Sequence, residues 1–443
     1  MANDESIVEE MDRREYRRKR RIRNRILSFV VLALVLAGLV VGGVIGVRKL
    51  LSAFGEKKYA DELQKQMDEL QGEGEEPPVV EAPDQSVEQA PPQEEPNYID
   101  EIVNSCISEM PIEDKVAGLF MITPEALTGT ETVVRAGDTT KAKLGERPVG
   151  GLVYSAKNIQ SAEQLTEMLS NTRNWSKYPI FLGIEEEGGT ISPVAEKGLG
   201  ENVGSMADIG AAGDPGRARE AGALIGGYLS GLGFNMDFAP VADIVAEGNT
   251  VIGNRSFGPD AVQAASMVSA AVEGLQSAKV SACLKYFPGL GDTLDDISAG
   301  MANSEKTLEE LQANDFTVYQ AGIGAGADFV MAGHISMEKV TGDNTPASIS
   351  GIMITDILRG QLGYQGIVIT DAMNMGAITE YYTSDEAAVK ALQAGADMIL
   401  MPEDFEAAYT GVLEAVNNGT LTQERIDESL RRIFRVKYKD KVE

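Results

Sequence analysis

The sequence predicts an α/β protein whose main domain, residues 98–443, is a (β/α)8 barrel of the TIM type. Two observations predict the barrel. Eight short apolar runs alternate with amphipathic stretches from Tyr98 onward, and five of the runs carry an ionisable residue at or near their C-terminal end. Such alternation is typical of a parallel sheet with crossover helices, and in a barrel the strand ends meet at one face. The remaining chain predicts one transmembrane helix followed by a disordered, acidic, proline-rich tether.

The first two segments, residues 1–25 and 26–47, predict a membrane anchor. The first 25 residues carry nine Lys or Arg and a net charge of +3, and the next 22 residues carry no charge. A bilayer-spanning helix needs roughly 20 apolar residues, and its cationic flank stays on the cytoplasmic side. We therefore expect a single-pass protein of the cell membrane, with a cytoplasmic N-terminus and an extracytoplasmic main domain.

Residues 48–97 predict a tether rather than a folded domain. From residue 56 to 97 the chain has 13 Asp or Glu against three Lys, and six prolines fall between Pro77 and Pro96. A segment with so few apolar side chains cannot bury enough surface to offset its conformational entropy. We expect it to hold the folded domain away from the membrane.

Charge and cysteine content exclude several function classes. The 418 residues after the basic segment carry a net charge of −32, which argues against nucleic-acid binding. Cys106 and Cys283 lie in unlike settings, so two buried free thiols are the preferred interpretation, with one disulfide as the alternative. No Cys/His cluster has the spacing of zinc ligands. His334 is the only histidine, so a mechanism that needs two histidines is excluded.

The eight apolar runs are short and rich in Val, Ile, Leu, Met and Phe, as expected for strands buried on both faces. They are Gly118–Ile122, Gly150–Tyr154, Ile180–Glu185, Phe234–Pro240, Ser281–Phe287, Asp328–His334, Gly366–Asp371 and Asp397–Pro402. Helical patterns lie between most of them, at Ala162–Asn171, Arg217–Leu232, Pro259–Gln276, Leu308–Gly324, Ile352–Leu362 and Ser384–Ala394. A doubly wound open sheet is the alternative, but the Gly-x-Gly-x-x-Gly turn of dinucleotide-binding sheets is absent after the first run.

Ionisable residues stand at the ends of five predicted strands: Glu185, Asp237, Lys285, His334 and Asp371. Charges are costly to bury without partners, so a set that converges at one barrel mouth indicates a functional site. Salt bridges at the barrel rim are the structural alternative.

Several segments at these strand ends resemble glycoside hydrolase family 3, specifically its single-domain β-N-acetylglucosaminidase branch. The resemblance runs from about Ile112 to the C-terminus. The segments are Ile184–Gly189 (IEEEGG), Asp237–Asp243 (DFAPVAD), Asn254–Gly258 (NRSFG), Lys285–Thr293 (KYFPGLGDT), Met331–Ile335 (MAGHI), Pro346–Ser350 (PASIS) and Leu358–Ile378 (LRGQLGYQGIVITDAMNMGAI).

This resemblance implies a retaining mechanism with a covalent glycosyl-enzyme. The family's nucleophile is the Asp at the end of strand seven, which here is Asp371. A retaining mechanism needs an ionised carboxylate beneath the anomeric carbon, and a strand end would hold it rigidly. The resemblance also implies that Arg255, Lys285, His334 and Glu185 bind sugar hydroxyls.

The proton donor is the main departure from the family pattern. In this branch the donor is an Asp-x-His pair on the loop after strand five. Asp296 matches the Asp of the pair, but Ser298 stands where the His is expected. A serine hydroxyl does not titrate near neutrality and cannot replace an imidazole as acid or base. Asp296 or a neighbouring carboxylate is therefore the candidate acid, with its pKa raised by nearby negative charge.

Other substitutions affect predicted sugar-contacting positions. Tyr286 and Leu290 replace two further histidines of the family pattern, and Thr190 replaces an arginine. Glu185 is one methylene longer than the expected Asp. The sugar contacts on several strands have therefore changed.

The sequence thus predicts a monomeric, β-N-acetylhexosaminidase-like hydrolase that removes terminal β-linked N-acetylglucosamine from cell-wall glycan. Carboxylate chemistry suffices for this reaction, so neither a metal nor an organic cofactor is implied. Two alternatives remain open. One is a catalytically degenerate, membrane-anchored glycan-binding protein, which the loss of the histidine favours. The other is a variant that uses phosphate in place of water.

Overall fold

The computed structural model describes residues 98–246, 248–294 and 298–439. The predicted basic segment, transmembrane helix and tether lie outside these described residues, and so does Asp296. Within the described ranges, no helix is both long and apolar enough to cross a membrane.

Eight parallel strands form a nearly closed barrel, and a separate pair of two-residue strands lies beside it. The strands in chain order are β1 (Phe120–Ile122), β2 (Gly151–Val153), β3 (Phe181–Ile184), β4 (Met236–Asp237), β5 (Ser281–Phe287), β6 (Ala302–Asn303), β7 (Phe329–Ala332), β8 (Ile335–Ser336), β9 (Ile367–Thr370) and β10 (Ile399–Leu400). The barrel order is β10-β1-β2-β3-β4-β5-β7-β9, while β6 pairs with β8. A parallel bridge between Ile369 and Met398 brings β9 next to β10. The structure thus confirms the predicted (β/α)8 architecture, and each apolar run of the sequence contains one barrel strand.

Helices connect the barrel strands. They are α1 (Tyr98–Glu109), α2 (Ile112–Ala117), α3 (Pro124–Thr128), α4 (Asp138–Glu146), α5 (Ala162–Trp175), α6 (Pro193–Glu196), α7 (Met206–Ala211), α8 (Pro215–Leu232), α9 (Ala261–Ser277), α10 (Leu308–Ala313), α11 (Asp315–Gly324), α12 (Glu338–Thr341), α13 (Gly376–Thr379), α14 (Ser384–Ala394), α15 (Phe405–Asn417) and α16 (Gln423–Tyr438). Short 3₁₀ turns span Ala156–Asn158, Gly253–Arg255 and Ala347–Ile349, and a π-helix spans Ile352–Gln361.

Local sequence signals fix several helix ends. Ser161 caps α5, since its hydroxyl accepts from the amide of Gln164, whose side chain returns to the Ser161 amide. Helix α8 ends at Gly233 with φ of 108°, a conformation that glycine adopts without the steric cost of a side chain. The predicted helix Leu308–Gly324 is in fact two helices, because Asn314 leaves the helical region with ψ of −82°.

The barrel interior is a packed core. A Cβ atom on Gly183 would lie 2.5 Å from the Met121 methyl carbon, so this glycine leaves the room that Met121 fills. Phe181 and Phe329, at the starts of β3 and β7, pack edge to face with ring centroids 5.0 Å apart. Side chains thereby fill the barrel at the amino ends of its strands, and the face at the carboxyl ends is left for chemistry.

Both cysteines are free thiols, as the preferred interpretation held. Cys283 lies in β5 and is fully buried, whereas Cys106 in α1 is only half-buried.

Candidate active site

The ionisable residues predicted to converge do lie at the carboxyl ends of the barrel strands. Glu185 follows β3, Asp237 ends β4 and Lys285 lies within β5, while His334 and Asp371 follow β7 and β9. A different charged group, Asp397, lies at the start of β10 and accepts from Arg359 (2.5 Å) and Arg432 (3.0 Å). That second network lies at the amino ends of the barrel strands, where ionisable residues contribute to stability rather than to catalysis.

Two carboxylates and two cations form one cluster beside β3 and β5. The ammonium of Lys285 lies 2.6 Å from Oε1 of Glu185 and also contacts Glu187. Arg255 binds Glu187 with two parallel bonds, from Nε to Oε2 (2.8 Å) and from Nη2 to Oε1 (2.5 Å). Such bidentate pairs are strong and directional. Glu187 was not among the residues predicted from the sequence, although it lies in the same Ile184–Gly189 segment.

The cluster keeps Glu185 and Lys285 charged. Burial by itself would raise the pKa of Glu185, but Lys285 and Arg255 outweigh this and hold it at about 2. Burial by itself would lower the pKa of Lys285, but the charges of Glu185 and Glu187 raise it well above its ordinary value. Lys285 is fully buried, whereas 46% of the Glu185 side chain is exposed. Of this pair, Glu185 is the member that reaches the solvent.

Tyr286 belongs to the same cluster. Its hydroxyl accepts from Nη2 of Arg255 over 2.6 Å and lies 3.4 Å from Oε1 of Glu185. The Arg255 guanidinium and the Lys285 ammonium lie 5.5 and 5.4 Å from its ring centroid, within cation–π range. Burial raises the pKa of Tyr286, so the phenol stays neutral. From the sequence this position was only a lost histidine, whereas the structure makes it a support for Arg255.

Asp371 is held at the end of β9 with one carboxylate oxygen uncommitted. Its amide donates to the carbonyl of Ala332 over 2.9 Å, and the amide of Ala372 donates to Oδ1 over 2.7 Å. Oδ2 is buried and accepts no hydrogen bond from the described residues. Burial raises the pKa of Asp371, against the opposing effects of His334, the Ala372 amide and Lys285. A desolvated carboxylate with a free oxygen on a rigid strand end is suited to nucleophilic attack.

His334 is fully buried beside Asp371, and both of its ring nitrogens have partners. Nδ1 lies 2.8 Å from Oγ of Ser348, and Nε2 lies 3.0 Å from the carbonyl oxygen of Ala372. Burial lowers the pKa of His334, although Asp371 opposes this effect. The imidazole is therefore neutral at neutral pH. Ser348 lies in the Pro346–Ser350 segment, where the sequence alone gave no sign of a histidine contact.

Asp237 supports the chain after β3. Its Oδ1 accepts from the amide of Glu186 over 2.9 Å, and burial raises the pKa of Asp237 well above its ordinary value. The neighbouring Glu186 carboxylate accepts from the amides of Val194 and Ala195 and from the Tyr228 hydroxyl. Both groups hold the segment that carries Glu185 and Glu187.

The side chain of Asn249 joins the loops after β4 and β5. Its amide nitrogen donates to three carbonyls of the β5 loop, and its oxygen accepts from the amide of Ile252, three residues before Arg255. The three carbonyls are those of Leu290 (3.1 Å), Gly291 (3.1 Å) and Thr293 (2.7 Å). Asn249 thus ties the Arg255 loop to the loop where the acid is expected.

Farther along the β5 loop, the backbone meets the helix that follows Asp371. Ser298 is exposed, and its carbonyl accepts from the amide of Gly376 over 3.2 Å at the start of α13. Asp292, a described carboxylate of the same loop, accepts from the hydroxyl of Ser304 over 2.6 Å. Asp296, the acid candidate, lies outside the described residues.

Comparison with known proteins gives concordant matches. Residues 111–436 match the family model described as the glycosyl hydrolase family 3 N terminal domain. A beta-hexosaminidase from Stenotrophomonas maltophilia (strain R551-3) is 34% identical over 294 residues, covering 65% of this chain and 85% of the relative. A beta-hexosaminidase from Xylella fastidiosa (strain 9a5c) is 33% identical over 289 residues, covering 62% and 85%.

Solved structures share the fold. A glycoside hydrolase family 3 beta-N-acetylglucosaminidase from Paenibacillus sp. str. FPU-7 superposes with a TM-score of 0.70 at 35% identity. The match covers 75% of this chain and 63% of that one. A glycosyl hydrolase of the same family from Mycobacterium smegmatis str. MC2 155 superposes with a TM-score of 0.67 at 29% identity, covering 74% of this chain and 98% of that one.

Proposed function

This chain belongs to glycosyl hydrolase family 3 and is a glycoside hydrolase, and we propose that it removes terminal β-linked N-acetylhexosamine with retention of configuration, using Asp371 as the nucleophile. The observation that carries the proposal is the uncommitted Oδ2 of Asp371 at the carboxyl end of β9. The relatives named beta-hexosaminidase support the choice of sugar.

In the first step, Oδ2 of ionised Asp371 attacks the anomeric carbon and the glycosidic C–O bond breaks. The leaving oxygen takes a proton from the acid, and the sugar remains as an ester of Asp371. In the second step, water gives a proton to the same group and attacks the anomeric carbon, which frees the carboxylate. Two inversions at one carbon give net retention.

The sugar hydroxyls would be held by the cluster of Glu185, Glu187, Arg255 and Lys285. Glu185 is half exposed and ionised, so it can accept hydrogen bonds from hydroxyls. Lys285 is fully buried and acts by fixing Glu185. His334 is also fully buried, which favours a role through Asp371 rather than through direct contact with sugar.

We assign the acid to the loop after β5, with Asp296 as the candidate. Ser298 supplies no titrating group in place of an imidazole. Substrates with good leaving groups need little protonation, so this enzyme should act on them far faster than on alkyl glycosides.

The proposed setting is the cell envelope. The uncharged segment 26–47 with its basic flank supports a membrane anchor, and the acidic, proline-rich segment 48–97 supports a tether. Cell-wall glycan with terminal N-acetylglucosamine is the substrate that such an extracytoplasmic enzyme would meet.

The test is release of 4-nitrophenol from 4-nitrophenyl N-acetyl-β-glucosaminide by the full chain and by Asp371→Asn. We expect turnover by the wild type and a loss of at least about 10³-fold in the variant, because the covalent step is removed. Asp356→Asn, which changes an exposed carboxylate on the π-helix, is the matched control and should keep wild-type rates. Wild-type rates in Asp371→Asn would refute the assignment. A folded wild type that binds glycan but cleaves no nitrophenyl sugar would favour a binding protein.

A further inference from the structure

Ser348 has no part in the chemistry proposed so far, yet it contacts the histidine beside the nucleophile. Its hydroxyl lies 2.8 Å from Nδ1 of His334, and both side chains are fully buried. Ser348 is itself fixed, because its amide donates to the carbonyl of Gly333 over 3.0 Å. The contact is thus between two immobilised groups.

The direction of each hydrogen bond follows from chemistry. The carbonyl oxygen of Ala372 can only accept, so Nε2 of His334, 3.0 Å away, carries the ring proton. A neutral imidazole has one donor and one acceptor nitrogen. Nδ1 is therefore the acceptor, and the Ser348 hydroxyl donates to it. The Ala372 carbonyl thus fixes the tautomer of His334, and Ser348 supplies the second hydrogen bond that holds the ring.

Ala372 connects this tautomer to the nucleophile. Its carbonyl accepts from His334, while its amide donates to Oδ1 of Asp371 over 2.7 Å. Ala372 is therefore held on both sides of its α-carbon. With Oδ1 occupied in this way, the Asp371 carboxylate is held in one rotamer, and Oδ2 is left for attack.

We propose that Ser348 is a positioning residue for the glycosidase reaction, acting through the ring of His334 and the backbone of Ala372 to orient the Asp371 carboxylate. This inference rests on the proposed role of Asp371 as nucleophile. Without the Ser348 hydroxyl, a buried Nδ1 has lost its donor. The ring is then held by one hydrogen bond instead of two, the one from Nε2 to the Ala372 carbonyl. The His334 ring and the Ala372 peptide group would then no longer be held in one conformation.

We call the hydrogen-bonded series from Ser348 through His334 and Ala372 to Asp371 the relay. It can be observed directly, because His334 is the only histidine of the chain. Full-length protein, purified without a histidine tag and labelled with ¹⁵N-histidine, should give one pair of ring nitrogen signals. In the wild type we expect Nε2 to be protonated and Nδ1 to be an acceptor. In Ser348→Ala we expect the Nδ1 signal to shift, because that nitrogen loses its hydrogen-bond donor while the Ala372 carbonyl still holds the proton on Nε2.

Activity on the nitrophenyl sugar provides the second readout. Ser348→Ala should lower kcat by about 10- to 100-fold, the size of loss that small misplacement of a reacting group causes. KM should change by less than about threefold, because the groups proposed to bind the sugar are untouched. Ser348→Cys retains a weak donor and should fall between wild type and Ser348→Ala.

Ser350→Ala is the matched control. It removes a second buried hydroxyl from the same segment, one that lies near the amide of Met353 at 3.5 Å. It should keep wild-type kcat and an unchanged His334 signal. Equal losses of kcat in Ser348→Ala and Ser350→Ala would refute a positioning role and leave a structural one.

Two further outcomes separate the relay from the proposed function. Wild-type kcat in Ser348→Ala, or a His334 signal that this substitution leaves unmoved, would overturn the relay while the hydrolase assignment stands. A wild type that turns over no substrate would overturn the proposed function and the positioning role with it.

Discussion

The ammonium group of Lys285 lies 2.6 Å from Oε1 of Glu185, with the lysine fully buried and the glutamate half exposed. Lys285 therefore does not reach the barrel mouth itself; it fixes the Glu185 carboxylate, which does. The same ammonium contacts Glu187, and Arg255 joins Glu187 from the other side. The cluster is therefore a set of hydrogen-bonding groups that hold one another in place.

Removal of the Lys285 ammonium group should destabilise the fold. Lys285→Met removes one of the two cations that contact the buried Glu187 carboxylate. Because Arg255 remains bound, we expect a cost of about 3 kcal/mol, the lower end of the range for broken buried pairs. The free energy of unfolding in urea measures this. Lys339→Met is the control, since it breaks an exposed pair with Glu305 that is worth less than about 1 kcal/mol. Similar losses in the two variants would contradict a buried, interdependent cluster.

The buried Asp371 carboxylate should lower the free energy of unfolding at neutral pH. Burial raises the pKa of Asp371, so in the folded state the carboxyl holds its proton to a higher pH than in the unfolded state. Stability therefore falls as pH rises from the unfolded value of about 3.9 through the folded pKa. Asp371→Asn should raise Tm at pH 7 while abolishing turnover, and this gain should shrink toward pH 4. A lower Tm at pH 7 would contradict the burial effect.

The acid limb of the pH profile should belong to Asp371 rather than to Glu185. The pKa of Glu185 is about 2, so this group stays ionised throughout the working range. The pKa of Asp371 is raised by burial, and only its ionised form attacks. We expect kcat/KM for the nitrophenyl sugar to fall with decreasing pH at a pKa above that of an ordinary aspartate. Glu185→Gln should weaken kcat/KM and move this limb to lower pH, because the charge of Glu185 helps to raise the pKa of Asp371. A limb that disappears in Glu185→Gln would show that it belongs to Glu185 rather than to Asp371.

Leaving-group dependence should reveal the altered acid. Without an imidazole at Ser298, rates across a series of aryl glycosides should rise steeply as the leaving phenol becomes more acidic. Ser298→His should speed the poor leaving groups by about tenfold or more and change nitrophenyl release little. Ser298→Asn, of similar polarity but with no titrating group, should give no such gain. A wild-type rate independent of the leaving group would show that another acid is already effective.

The architecture and the residues at the strand ends could be predicted because they depend on local sequence. Buried strands need apolar runs such as Ser281–Phe287, and chain order alone brings the residues that follow them to one face. The break at Asn314 between α10 and α11 could not be predicted, since apolar periodicity continues across it. Sequence showed which groups would meet, but not where the helices would bend.

The partners of the site residues could not be predicted, because they depend on three-dimensional contacts between distant segments. Glu187 lies in the Ile184–Gly189 segment, yet its pairing with Lys285 depends on how β3 and β5 are placed on either side of β4. The Ser348–His334 contact joins residues 14 apart through a 3₁₀ turn that apolar patterning does not specify. In the sequence, Tyr286 only marked the replacement of a histidine of the family pattern. Its hydrogen bond to Arg255 is what shows a role.

The most direct test of the account is to trap the glycosyl-enzyme. A fluorinated N-acetylglucosamine analogue with a good leaving group should form the ester rapidly and release it slowly. Mass spectrometry of the full chain should then show one added sugar, and peptide mapping should place it on Asp371. An adduct on a different carboxylate, or complete turnover that yields the inverted anomer without any adduct, would contradict the central claim.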